Sequence, residues 1–142
     1  HQSNSSMIPL GTSLRNLNRT VEINGTSLNQ ISYLQSVGVL SDFQVSQVPQ
    51  IVDYNNLNVS LAERGRAYLA MNCAHCHNPN ACEESAEQYL DFRYQTPRKQ
   101  TCILQESYEI LELVSDGEMP FIGTTILDQE GVNLIFQYIE SL

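Results

Sequence analysis

Residues 60–77 read SLAERGRAYLAMNCAHCH, and this stretch predicts a helix that runs directly into a pair of cysteines. Ser60 is a favourable residue for the start of a helix, because its hydroxyl can accept a hydrogen bond from a free backbone N–H of the first turn. Apolar residues then recur at helical spacing as far as Asn72. We therefore place a domain boundary near Ser60 and expect the helix to reach the first cysteine.

The five residues after this helix, Cys73-Ala74-His75-Cys76-His77, form the C-x-x-C-H pattern of covalent haem attachment. Two thiols one helical turn apart lie on one face, so each can form a thioether with a vinyl group of the haem. The next residue, His77, presents its imidazole to the iron. We predict one covalent haem c held by Cys73 and Cys76, with His77 as an iron ligand and His75 at the surface.

Three other interpretations of the cysteine pair are a thioredoxin-like redox pair, a zinc site and a plain disulfide. A thioredoxin-like pair should follow a strand and open a helix, whereas this pair follows a predicted helix. A zinc site would need a fourth ligand, and the other two histidines are His75, inside the motif, and His1, at the terminus. These arguments favour haem.

Met119 is the candidate for the second axial ligand. It stands 42 residues after His77, and the following Pro120 can stiffen a loop that leads into the last helix. A thioether is a soft, uncharged ligand that favours ferrous iron and raises the reduction potential. Met71 lies too near the attachment motif to reach the opposite face of the haem, and Met7 belongs to the N-terminal part of the chain.

Ligation by both His77 and Met119 would leave no iron position for a substrate, so the predicted role is electron transfer and not enzyme catalysis. An enzyme or a gas sensor needs an open or displaceable site, and the sequence offers no separate acid, base or second haem for peroxide chemistry. The alternative is a haem domain of a larger multihaem oxidoreductase, cytochrome assembly or filament.

Helical spacing also appears on both sides of the motif. Ser27 followed by Gln30 has the pattern of a capping box, and Gly38 supplies a C-terminal stop. No strand pattern persists long enough to build a sheet, so the predicted fold class is all-α. We expect a helical haem domain at 60–142 and a partly helical N-terminal extension at 1–59. The other predicted helices are residues 27–37, the regions around 84–90 and 106–114, and a last helix capped by Asp128.

Residues 60–142 resemble a class I cytochrome c domain. In that family a glycine and an apolar residue on the first helix cross an aromatic residue on the last helix, and Gly65, Leu69 and Tyr138 stand at the matching places. Glycine costs about 1 kcal/mol inside a helix, and close helix contact is a packing reason for it. The resemblance implies a class I cytochrome c-like helical fold and electron transfer.

Three segments are also similar to a poorly characterised bacterial family of exported, often dihaem, cytochrome-like proteins: Asn72–Pro79, Leu90–Tyr94 and Pro9–Arg19. This resemblance implies that another haem-attachment motif would lie just upstream, with His1 about where its histidine would end. Either that haem has been lost or the chain is a piece of a longer protein. His1 is then a candidate ligand of a neighbouring haem.

Three further residues are candidates for contacts with the cofactor. Pro79 can place a backbone carbonyl to accept the imidazole N–H of His77, which would orient the ring. It can equally be a simple turn proline. Arg93 and Tyr94 match the family segment, and the resemblance implies hydrogen bonds from them to a haem propionate. The alternative for Arg93 is an unpaired surface residue.

Cys82 and Cys102 are the cysteines left when haem takes two thiols. Nineteen residues separate them, and an exported context favours a disulfide over two free buried thiols. We therefore expect a periplasmic or extracellular protein. The chain starts at His1 without a charged-then-apolar leader, so any signal peptide is expected to be gone already.

The composition limits the partners of the chain. Its 142 residues are 42% hydrophobic and 16% charged, which is typical of a folded protein. The net charge of −9 argues against nucleic acid, and no apolar run approaches a membrane span. Nine carboxylates between Glu83 and Glu118 face three basic residues. They suit a redox partner with a basic docking surface, and the alternative is a solvated acidic surface without a partner. A homo-oligomer, or an assembly formed through residues 1–59, is an alternative that the composition leaves undecided.

Overall fold

The computed structural model describes residues 12–79, 90–120 and 126–142. Within these ranges no helix is both long and apolar enough to cross a membrane. The described helices are α1 (Leu14–Leu17), α2 (Gln30–Ser36), α3 (Leu61–Asn72), α4 (Ser107–Ser115) and α5 (Gln129–Glu140). The described strands are β1 (Thr20–Ile23) and β2 (Thr26–Asn29), and short 3₁₀ turns occupy Val45–Gln47 and Arg98–Gln100.

The predicted helices of the C-terminal part are confirmed wherever the structure describes them. Ser60 caps α3, because its hydroxyl accepts from the N–H of Glu63 at 3.3 Å and donates to the Glu63 carboxylate at 2.6 Å. Asp128 caps α5 by accepting from the N–H of Gly131 at 3.0 Å. The helix expected around residues 106–114 is α4. The one expected around 84–90 falls mostly outside the described residues.

Helices α3 and α5 cross at two glycine and tyrosine pairs. A Cβ at Gly65 would fall 2.6 Å from the Cβ of Tyr138, which is far inside van der Waals contact. This confirms the predicted crossing of Gly65 and Tyr138. The second pair is reciprocal: a Cβ at Gly131 on α5 would collide with the ring of Tyr68 on α3. The two helix backbones can therefore approach closely at both pairs.

The hydrophobic core lies between these two helices and the chain that connects them. Phe92 and Ile103 from the connecting loops are 4% and 1% exposed, so the loops are part of the core and not a cover over it. Burial of apolar side chains is the main stabilising contribution to such a core. The core cluster comprises Leu69, Phe92, Ile103, Ile110, Ile135, Tyr138 and Ile139.

The all-α prediction is wrong, because β1 and β2 form an antiparallel hairpin in which Thr20 pairs with Asn29 and Ile23 with Thr26. The turn is Asn24-Gly25, with φ of 52° and 77°. Both residues adopt the left-handed region that a two-residue hairpin turn requires, and Asn-Gly is the sequence best suited to it. The fold is therefore a small mixed one, and it does not establish the class I cytochrome c-like helical fold.

The predicted start of the short helix at 27–37 is also wrong. Ser27 lies in β2 opposite Glu22, so no capping box forms there. Asn29 caps α2 instead, because its side-chain oxygen accepts from the N–H groups of Ile31 and Ser32 at 3.0 and 3.2 Å. The predicted stop is confirmed, since Gly38 follows the helix with a φ of 75°.

Hydrogen bonds of Asn18, which is buried, and Asn29, which is half-buried, hold the N-terminal part together. The Asn18 amide donates to the carbonyl of Val48 at 2.6 Å and accepts from the Asn29 amide at 2.8 Å. Asn29 thus links the hairpin, the cap of α2 and the later segment in a single network. Ile31 on α2 is fully buried.

Candidate functional site

The C-x-x-C-H motif lies on a turn that continues α3. The N–H groups of Cys73 and Ala74 both donate to the carbonyl of Leu69, at 2.9 and 3.0 Å. The carbonyl of Cys73 then accepts from the N–H groups of Cys76, at 3.1 Å, and His77, at 2.9 Å. The helix end therefore places both thiols and the imidazole on a single compact turn, as the sequence predicted.

Burial keeps two of these groups uncharged at neutral pH. Burial, with a smaller effect of Cys76, raises the pKa of the Cys73 thiol to about 12. Burial also lowers the pKa of His77, and the charge of His75 lowers it further. A neutral imidazole has a free nitrogen lone pair, which is the form that ligates a metal.

The ring of His77 has an unpartnered nitrogen. Its Nδ1 atom is buried and has no hydrogen-bond partner among the described residues. Buried polar atoms are nearly always hydrogen-bonded, so this nitrogen is an exception within the described part of the chain. The expected bond from this nitrogen to the Pro79 carbonyl is not formed in the structure. Pro79 itself is exposed at the end of the motif.

Two neighbours hold the motif in place. The N–H of Phe92 donates to the carbonyl of His77 at 3.0 Å, and the two rings lie 5.2 Å apart with a tilt of 56°. The amide of Asn78 donates to the carbonyls of Ala74, at 2.8 Å, and His75, at 3.3 Å. His75 is exposed, as predicted.

The side chain of Arg93 forms its hydrogen bonds within its own loop. Its Nε and one terminal nitrogen donate to the two carboxylate oxygens of Asp91 at 2.9 and 2.7 Å, and the hydroxyl of Thr96 donates to the same carboxylate at 2.7 Å. Burial raises the pKa of Asp91, but the hydrogen bonds from Arg93 and Thr96 and the charge of Arg93 outweigh it and lower the pKa. A contact from Arg93 to a haem propionate would compete with this pair.

Tyr94, the other predicted propionate contact, meets the N-terminal part of the chain. The guanidinium of Arg15 lies over its ring at 5.1 Å from the centroid. The predicted candidates Arg93 and Tyr94 are therefore adjacent in the structure, but each already has a protein partner.

Arg66 is a further residue of the site that was not predicted from the sequence. One of its terminal nitrogens donates to the carbonyls of Arg93 and Thr96, both at 2.7 Å, and of Tyr94 at 3.2 Å. It therefore fastens the 93–96 loop to α3, the helix that carries the motif. The available signal was an arginine among small and apolar residues near the middle of that helix.

Met119 lies directly after α4. The N–H groups of Glu118 and Met119 both donate to the carbonyl of Leu113, at 3.0 and 3.1 Å, and Gly117 makes the turn with a φ of 74°. The Met119 side chain is half-buried. No contact described in the structure joins it to His77, so ligation by Met119 stays a prediction.

Two other predictions fall on residues that the structure does not describe. Cys82 lies outside the described ranges, so the disulfide to Cys102 stays a prediction. The same holds for the role of His1.

A zinc site would need several close ligands, and no group of three or more His, Cys, Asp or Glu side chains within residues 12–79, 90–120 and 126–142 could hold a metal ion.

Comparison of the chain with models of known protein families, with curated proteins and with solved structures finds no match in any of the three. The function of this chain is therefore inferred from its residues and their geometry.

Proposed function

We propose that this chain holds one haem c through thioethers to Cys73 and Cys76, with His77 as an iron ligand, and that it transfers electrons. The observation that carries the proposal is the C-x-x-C-H turn at the end of α3, on which both cysteines and the half-buried His77 lie. The order and spacing of these residues are those of covalent haem attachment. When bound, the haem would supply an iron couple that exchanges one electron.

The residues around the turn have a positioning role in this proposal. The carbonyl of Leu69 receives the N–H groups of Cys73 and Ala74, which fixes the direction in which the thiols leave the helix. The N–H of Phe92 fixes the backbone of His77, and its ring lies against the imidazole. Ligands held by packing and hydrogen bonds bind a metal in a defined geometry.

Met119 is proposed as the second axial ligand. Its support is a half-buried thioether on a turn whose two N–H groups are held by the carbonyl of Leu113. Occupation of both axial positions by side chains favours an electron carrier over an enzyme or a gas sensor.

The proposed partner is a redox protein with a basic docking surface, in a periplasmic or extracellular location. The support is an exposed acidic stretch on α4 and the turn after it, which comprises Glu109, Glu112, Asp116 and Glu118. Opposite charges speed the encounter of two proteins and orient them. The association rate is therefore expected to fall as salt is added.

Covalent attachment is tested by intact mass after acid denaturation of protein produced in a host that matures c-type haem. The wild type should exceed the polypeptide mass by one haem, and Cys76→Ala should not retain two thioethers. His75→Ala is the matched control, because this exposed histidine of the same motif should leave attachment unchanged. Haem that is extracted from the wild type by acidic organic solvent would refute the proposal.

The second axial ligand is tested with Met119→Ala and with Met71→Ala as its control. The oxidised wild type should show the weak sulfur-to-iron absorption at the red edge of the visible spectrum and should bind carbon monoxide slowly when reduced. Only Met119→Ala should lose that absorption, lower the potential and bind carbon monoxide readily. Rapid binding by the wild type would favour an enzyme or a sensor instead.

A further inference from the structure

A cavity of about 630 Å³ lies between the N-terminal part of the chain and the end of α3. Arg15 and Ile51 line it from the N-terminal side, while Ala70 and Met71 of α3 and Tyr94 line the other side. Ala74 and His75 of the C-x-x-C-H motif also line it, whereas Cys73, Cys76 and His77, the residues proposed to hold haem, do not. Its size falls in the range of about 300–1,000 Å³ that small-molecule sites occupy, and such sites prefer the junctions between parts of a fold.

The charge of this cavity is opposite to that of the protein. The chain has 16 acidic and 7 basic residues, yet the cavity is lined by two arginines and by no aspartate or glutamate. The charge of one of them, Arg93, is balanced by its ion pair with Asp91 at 2.7 Å. Of the two arginines, Arg15 is therefore the one whose charge is not balanced by an ion pair among the described residues.

Arg15 has no carboxylate partner among the described residues. Its NH1 atom donates to the carbonyl of Gln50 at 3.2 Å, and its guanidinium lies over the ring of Tyr94 at 5.1 Å. Both contacts leave the positive charge uncompensated, and they orient the flat guanidinium. An oriented guanidinium can bind a carboxylate or a phosphate with two parallel hydrogen bonds.

The wall on the α3 side has a different chemistry. Ala70 and Met71 present aliphatic and thioether surface, and Ile51 extends that surface from the N-terminal side. All three residues are half-buried. A ligand that fills this cavity therefore has an apolar body as well as a negative charge.

We propose that the cavity binds a small organic anion, with its carboxylate or phosphate on Arg15 and its apolar body against Ala70 and Met71. This goes beyond electron transfer and does not depend on haem attachment. The protein would thus carry a ligand site beside the motif, at the junction of its two parts.

The test is isothermal titration calorimetry of the full chain with three probes that share one apolar body. The probes are 2-naphthoate, 2-naphthyl phosphate and the neutral 2-naphthalenemethanol. Hydrogen bonds to a charged group correspond to about tenfold or more in affinity, so at least one anion should bind about tenfold more tightly than the alcohol. The better of the two anions identifies the ligand group, and added salt should weaken its binding.

Two variants and one control locate the binding. Arg15→Gln should weaken the anion about tenfold or more, whereas Arg19→Gln, an exposed arginine of the same segment outside the cavity, should bind as the wild type does. Ala70→Phe should block binding by filling the cavity without a change of charge, which serves as the second test if Arg15→Gln does not fold. Absence of binding by every probe, equal binding of the alcohol, or undiminished binding by folded Arg15→Gln or Ala70→Phe would overturn the proposal.

Discussion

The substitution Gly65→Ala tests whether the crossing of α3 and α5 determines the position of the motif. Helix propensity alone predicts that alanine stabilises α3, because glycine in a helix costs about 1 kcal/mol relative to alanine. The structure predicts the opposite sign. The new Cβ would lie 2.6 Å from the Cβ of Tyr138 and 2.7 Å from its Cδ1.

The size of the expected loss in stability follows from how closely the two helices pack at Gly65. Carbon atoms pack best at about 3.5–4.0 Å, so the helices or the Tyr138 ring would have to move by roughly 1 Å. Tyr138 is fully buried and cannot turn into solvent. Overpacking of this kind costs about 1–3 kcal/mol. After the gain of about 1 kcal/mol in propensity, we expect the free energy of unfolding to fall by up to about 2 kcal/mol.

The assay is urea unfolding followed by circular dichroism, with the haem content of each protein measured separately. Ala62→Gly is the matched control on the exposed side of α3, and it should lose about 1 kcal/mol through propensity alone. We also expect less haem to be attached in Gly65→Ala, because α3 carries the motif at its end. An increase in stability on Gly65→Ala would refute the close crossing.

Two further predictions concern the ion pair beside the motif and the remaining cysteines. The pKa of Asp91 is lower in the folded protein than in the unfolded chain, where it is about 3.9. The ionised carboxylate therefore stabilises the fold fully when the pH is above the unfolded pKa, and this contribution is lost as the pH falls below it. Arg93→Gln should therefore lower the free energy of unfolding by about 1 kcal/mol at pH 7, a modest figure because the arginine is partly exposed. The difference from wild type should shrink below about pH 4, and an equal difference at pH 3 and pH 7 would contradict the assignment. For the disulfide, alkylation of the denatured, unreduced protein should leave Cys82 and Cys102 unmodified, and label on either would exclude the bridge.

Helix starts were predicted correctly where one residue with a strong capping preference precedes the helix. Ser60 and Asp128 each precede a helix, and each caps it as expected. The approach of Gly65 to Tyr138 was implied by the resemblance to class I cytochrome c domains, and close packing is a reason for a glycine in the middle of a helix. The reciprocal pair of Gly131 and Tyr68 was not predicted, since nothing in the sequence shows which tyrosine lies over which glycine.

The hairpin was missed although its turn has a recognisable sequence. Asn24-Gly25 is a strong signal, but the strands on each side have four residues, too few to show alternation among polar neighbours. The same short strands explain the wrong helix start. Ser27 and Asn29 are both suitable caps, and pairing with Glu22 places Ser27 in the sheet, which leaves Asn29 to cap α2.

The role of Arg93 shows why a contact partner is harder to predict than a residue type. Its match to a family segment suggested a propionate contact, but Asp91 two residues earlier takes the guanidinium in the structure. A short-range ion pair of this kind forms within the loop itself, so it does not need the cofactor. A hydrogen bond from Arg93 to a propionate would require its bonds to Asp91 to break.

Helix α3 connects the candidate site to the rest of the molecule on three sides. Gly65 lets it approach α5, and Arg66 fastens the loop that contains Arg93. Arg64 donates through Nε to the carbonyl of Tyr54 at 2.6 Å, which holds the N-terminal part of the chain against the same helix. Because the motif continues this helix, a shift of any of the three contacts would move the two thiols together with His77. The N-terminal part therefore supports the site although it supplies no ligand among the described residues, and the cavity at Arg15 lies where that support meets the motif.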